Sequence, residues 1–150
     1  EIFDLVIADH VLFYCEDIPQ VLAECRRVLK NGGRFLCSTY GKQHMWEITD
    51  LVQKFHKEIV LSAEVLYERF GLENGENLLA PYFPEIQMRR YEDAIEIAEA
   101  EPLISYILSC HGNQNQLLLN QYKEFREFVS ARVADGFHIT KDAGIFLCRK

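Results

Sequence analysis

The first 40 residues alternate strand, helix and strand signals, and that order restricts the fold more than any other feature of the chain. Leu5 to Ala8 is a short continuous apolar run bounded by Asp4 and Asp9. Such a run reads as a strand buried on both faces, the usual state in a parallel sheet. Asp17 then offers a side-chain oxygen as N-cap, and Pro19 suits the first helical turn, where its missing N–H has no partner to lose. Val21, Leu22, Cys25, Val28 and Leu29 recur at helical spacing and form one apolar face. Asn31-Gly32-Gly33 stops the helix, because glycine accepts the left-handed conformation of a C-terminal cap. Arg34 to Thr39 resumes as a strand. A strand–helix–strand unit this short implies a right-handed crossover and a parallel sheet covered by helices.

The remainder reads as mixed α/β. Helical patterns run over 43–57, 62–70 and 75–82, the last ending before Pro84. Ile86 to Tyr91 has strand character, and Ala94 to Ala98 is a shorter, ambiguous strand. Pro102 to Cys110 is apolar at helical spacing, a polar segment covers 112–116, and Leu117 to Ala134 forms a longer amphipathic helix ended by Gly136. Phe137 to Thr140 and Ala143 to Arg149 make two final strands around a Lys141-Asp142 turn. No repeat, low-complexity tract or linker interrupts residues 1–150, and that length fits a single domain.

Composition excludes several classes. A hydrophobic fraction of 49% with 10 Phe and 7 Tyr fills a sizeable core, which a disordered chain does not. The net charge of −7 argues against a phosphate-binding face for nucleic acid. Arg26, Arg27 and Lys30 cluster locally, yet the last turn of a helix favours cations through its dipole. No apolar run spans a bilayer, and no secretory signal pattern opens the chain, so the expectation is a protein without a membrane segment. Five scattered cysteines (Cys15, Cys25, Cys37, Cys110, Cys148) make neither a disulfide framework nor a metal site and point to a reducing cytoplasm. The chain opens on Glu1-Ile2-Phe3 without an initiating methionine, already inside an apolar run, and so reads as cut.

Ligands of open α/β sheets bind outside the carboxyl ends of the strands. Two such ends are visible, 9–17 and 39–44, both rich in polar and aromatic side chains. No H-E-x-x-H, P-loop or G-x-S-x-G is present, so metalloprotease, nucleotide-hydrolase and serine-hydrolase chemistry lack their parts.

The phrase Phe3-Asp4-Leu5-Val6-Ile7-Ala8-Asp9-His10-Val11-Leu12, followed by a helix and Arg26-Arg27-Val28-Leu29-Lys30-Asn31-Gly32-Gly33-Arg34-Phe35, resembles the class I S-adenosylmethionine-dependent methyltransferases from their fourth strand through their fifth. The closing Gly144 to Lys150 is similar to the family's final antiparallel strand. The resemblance implies a partial Rossmann-like sheet built from equivalents of strands 4, 5, 6 and 7, with helical insertions. Asn31 stands where the family usually has proline, and Tyr14 where many members have histidine. The family's glycine-rich donor loop and the acid that ends its second strand have no counterpart in these 150 residues. Gly32-Gly33 lies between a helix and a strand, in the wrong order to cradle a cofactor.

In the family, the residues directly after the fourth strand line the methionine end and sulfonium of the donor. By position, the resemblance assigns Asp9, His10, Val11 and Leu12 to the wall of the S-adenosylmethionine site. The plain alternative is that Asp9 caps a turn and His10 is a satisfied loop histidine. Tyr14, Tyr40, His44 and Trp46 are substrate-facing candidates, with packing an equal alternative for Tyr40 and His44 and the more frequent one for Trp46. Trp46 reads as core, and His111 and His138 receive no role. The implied chemistry is in-line methyl displacement, with His10 or His44 as base if the acceptor must lose a proton. The expectations are a catalytic whole protein, an inactive 150-residue piece and a small-molecule acceptor. A homodimer through an open strand edge is also expected. The alternative is a non-catalytic methyltransferase-like domain that binds protein.

Overall fold

Asp17 caps the first helix, α1 (Ile18–Val28), by accepting the Gln20 backbone N–H at 2.8 Å, with proline in the first turn. The strand before it is β1 (Phe3–Asp9) and the strand after it is β2 (Leu29–Tyr40). The two pair in parallel, with Ile7 opposite Leu36, Ala8 opposite Cys37 and Asp9 opposite Ser38, which completes the βαβ unit. The computed structural model describes residues 1–150. Its remaining elements are α2 (Trp46–Phe55), α3 (Leu66–Arg69), α4 (Gly75–Leu79), β3 (Glu85–Ile97), α5 (Ala100–Ser109), α6 (Gln114–Leu118), α7 (Tyr122–Val133) and β4 (Phe137–Arg149). The strand order is β1-β2-β4-β3, and the last strand, β4, runs antiparallel to β2 as expected for the closing strand. No helix is long and apolar enough to cross a membrane.

Four sequence-based expectations are corrected. β1 is not buried on both faces: of its residues only Ala8 is buried, while Phe3, Leu5 and Ile7 are 47%, 44% and 64% exposed. It is an edge strand, and a continuous apolar run carries no phase that tells one covered face from two. The glycine pair does not cap α1. The helix ends at Val28, Leu29 is already extended, and Gly32 takes its left-handed conformation (φ +75°) inside β2. The expected turn at Lys141-Asp142 is absent, because β4 runs unbroken through both residues and Asp142 is only 6% exposed. The long helix expected over 117–134 is two helices, with Leu119 between them 76% exposed.

The residues form two compact units, each drawn from discontinuous stretches, so no linker composition marks their boundary. The first unit comprises 1–44, 65–92 and 142–150. Its core sets the inner sheet face (Ala8, Phe35, Cys37, Phe146, Cys148) against Leu22 of α1 and against Phe70, Leu79 and Phe83. Phe35 and Phe83 stack at 5.3 Å, and each such fully buried ring contributes roughly 1.5–3 kcal/mol. Gly75 opens α4 because a Cβ there would lie 2.6 Å from the Phe146 ring. The second unit comprises 45–64 and 93–141, and its core joins α2, α5, α6 and α7 through Leu51, Val52, Ile104, Ile107, Phe125 and Val129.

Candidate functional site

The parallel register of β1 and β2 brings Asp9 beside Ser38 at the carboxyl ends of both strands. The Ser38 hydroxyl donates a short hydrogen bond to the Asp9 carboxylate and accepts the His10 backbone N–H at 3.0 Å. His10 has φ +47°, a conformation that a non-glycine residue adopts only where its surroundings fix it. Ser38 supplies that constraint. The sequence does not single it out, because a mid-sized polar residue near a strand end is common and only the register shows that it faces Asp9.

Beyond this corner the rings converge. His10 stacks on Tyr40 with centroids 5.5 Å apart, and His44 stacks on Tyr40 at 4.9 Å with planes 13° apart. Phe13 approaches Tyr40 at 5.0 Å and meets Tyr14 edge-on at 4.7 Å. Asp9, His10 and Val11 are exposed, so their side chains are open to a ligand. Leu12 is not: at 1% exposure it lies in the core and begins a short 3-10 turn, Leu12–Tyr14. It anchors the loop from beneath. Tyr14 is 63% exposed. Trp46, expected in the core, is 48% exposed and belongs to the second unit. His138, for which the sequence offered no partner, is paired through Nδ1 with the Glu96 carboxylate.

A shallow cavity of about 160 Å³ runs along the outer sheet face from this corner, lined by Ile7, Asp9, Leu36, Cys37, Ser38 and Ile145. The thiols behind the sheet carry no nucleophilic character. Burial raises Cys37, beside Cys148 and Cys25, far above its ordinary range, and burial pushes Cys148 up to about 12.

The corner therefore offers one fixed carboxylate, an imidazole and a stack of aromatic faces above two parallel strand ends. Such a set can hold a cation and accept a proton. Residues 1–37 match the model of a methyltransferase domain family. The fold is similar to that of the YcgJ protein from Bacillus subtilis (TM-score 0.56, 13% identity, covering 99% of this chain and 64% of that one). It is equally similar to that of BH2331 from Bacillus halodurans C-125, a protein assigned as a methyltransferase (TM-score 0.56, 13% identity, 100% and 65% covered). Over residues 1–37 the chain carries a methyltransferase-domain signature, and its fold is similar to that of these two proteins.

Among curated proteins, the biotin biosynthesis bifunctional protein BioHC of Saccharophagus degradans is 38% identical over 48 residues, which are 32% of this chain and 9% of that protein. The chain thus spans a small part of that relative and under two thirds of the two similar structures.

Proposed function

We propose that the protein transfers a methyl group from S-adenosylmethionine to a small-molecule acceptor. The observation that carries this reading is the corner formed by Asp9 and His10, held by Ser38 at the end of β1, where the family seats the methionine end of its donor. The residues present fit such a ligand, since an exposed carboxylate suits an ammonium or sulfonium and a conformationally fixed loop keeps it in place. When bound, S-adenosylmethionine supplies a methyl group already activated by its positive sulfur. Asp9 stabilises the cationic end, Val11 excludes water from one side, and Leu12 holds the loop from below. His10 or His44 takes the proton from an acceptor that must lose one as its bond to carbon forms and the carbon–sulfur bond breaks. Alignment and exclusion of water then supply much of the rate, because the leaving group needs no further activation. Tyr14, Tyr40 and His44 face the acceptor.

On this reading the 150 residues hold one wall of the donor site, and turnover needs a glycine-rich donor loop in addition. The overall negative charge favours a small acceptor over a nucleic acid, and five free thiols suit a reducing cytoplasm. The exposed apolar edge of β1 (Phe3, Leu5, Ile7) favours a homodimer formed through that strand, and a clean monomer in light scattering at high concentration defeats that part.

Calorimetry with S-adenosylmethionine tests the main reading, on this chain and on a chain extended by a donor loop. Binding that appears with the extension and weakens on Asp9→Ala supports it. Tight binding by the 150 residues alone removes the need for the loop. No binding by either favours the alternative, a methyltransferase-like domain used for protein–protein interaction.

A further inference from the structure

The loop 41–44 that follows β2 has every backbone N–H occupied. Gly41 N–H donates to the Asp142 carbonyl at 2.9 Å, and His44 N–H closes a turn onto the Gly41 carbonyl at 3.2 Å. Between them, Lys42 N–H donates to the Glu73 carboxylate at 3.2 Å and Gln43 N–H to the Asp142 carboxylate at 3.0 Å. Arg90 on β3 binds both acids, its Nε lying 3.3 Å from Asp142 and a terminal nitrogen 3.4 Å from Glu73. The acids press so closely on the loop that a Cβ at Gly41 would lie 2.3 Å from Asp142 Oδ2 and 2.8 Å from Glu73 Oε1.

Such an arrangement is costly for an ordinary loop. Asp142 is only 6% exposed, and a carboxylate so deeply buried is stabilised only by a full set of donors. The loop supplies a hydrogen-bond donor and Arg90 the opposite charge. What the loop carries at its far end is His44, whose ring lies on Tyr40 at 4.9 Å.

We propose that Asp142, with Arg90 and Glu73, is a positioning residue of the acceptor side: it fixes loop 41–44 so that the His44 imidazole is held flat against Tyr40. This rests on the reading above for what His44 faces, but the clamp itself is separable from it. Without the buried carboxylate the Gln43 N–H loses its acceptor, and the turn that places His44 is free to open.

The test is nuclear magnetic resonance on this chain, without donor or acceptor. In Asp142→Ala, exchange of the Gln43 amide rises about ten-fold or more, the factor carried by loss of one hydrogen bond to a charged group. The His44 ring protons also lose the upfield shift they owe to Tyr40. Asp142→Asn, which keeps an acceptor oxygen, restores much of the Gln43 protection and the His44 shift. Unchanged His44 ring resonances and Gln43 exchange in Asp142→Ala overturn the proposal. If that variant fails to fold, the half-exposed Glu73→Ala and Arg90→Leu decide. Faster exchange at Lys42 and Gln43 supports the clamp, and unchanged exchange at both overturns it. Absence of methyl transfer by the intact protein would defeat the reading above and leave this test unaffected.

Discussion

The Ser38 hydroxyl accepts the His10 backbone N–H at 3.0 Å, and the same oxygen donates to the carboxylate of Asp9, the residue opposite it in the parallel register. One side chain on β2 thus fixes two consecutive residues at the end of β1, including a histidine in the left-handed region. Ser38→Ala removes both bonds. The expected loss is about 1 kcal/mol of unfolding free energy, read from urea denaturation, with faster exchange at the His10 amide. Ser38→Thr keeps the hydroxyl and is expected to retain most of the protection.

His138 and Glu96 form an exposed pair whose hydrogen bond raises the histidine above its ordinary value of 6.5, against a smaller opposing effect of burial. A raised folded-state value means that the protonated pair stabilises the fold below about pH 6.5, and that this contribution is lost as pH rises through the folded value. A proton-resonance titration of His138 is expected to give a midpoint above 6.5, and Glu96→Gln to lower it. A midpoint indifferent to Glu96 would refute the pairing.

Glu47, in the first turn of α2, accepts both the hydroxyl and the backbone N–H of Thr140. Burial opposes its ionisation, yet these hydrogen bonds outweigh the burial and hold the carboxyl below its ordinary 4.5. Here the sign is opposite. The contribution is full above pH 4.5 and disappears as pH falls through the depressed value. Acid titration of wild type and Glu47→Gln is expected to show curves that differ above pH 4.5 and converge below it. Glu47→Ala costs about 1–2 kcal/mol at neutral pH.

Cys37 and Cys148 sit behind the sheet at 1% and 3% exposure, with thiols raised by burial. A thiolate is the reacting species in alkylation. Iodoacetamide at pH 8 is therefore expected to leave both unmodified in the folded chain while the half-buried Cys15 reacts, as peptide mass mapping reads directly. Prompt labelling of Cys37 would show that the sheet opens readily.

In the opening third of the chain the order of elements and the start of α1 are legible because their signals are local. An Asp cap, a Pro in the first turn and an apolar helical face each act within a few residues, and α1 forms where they place it. The parallel pairing of β1 with β2 follows from the short crossover and the handedness of L-residues. What lies further along is less local. Two short polar signals at 117–122 did not reveal the break between α6 and α7, and Lys141-Asp142 has turn chemistry but lies within a strand. There the tertiary structure wins, because β4 continues its pairing with β2 to Ala143 opposite Tyr40, which carries Asp142 to the loop beyond.

The same division holds for the site. The sequence by itself determined that a parallel βαβ unit would end in Asp9-His10 and in Tyr40, since apolar periodicity and strand-end chemistry are written along the chain. Only the tertiary structure decided which partners meet there. Ser38 reaches Asp9 across 29 residues, and Asp142 reaches Gln43 across 99. Contacts over such separations depend on strand register and burial, and neither has a signature in the residues between.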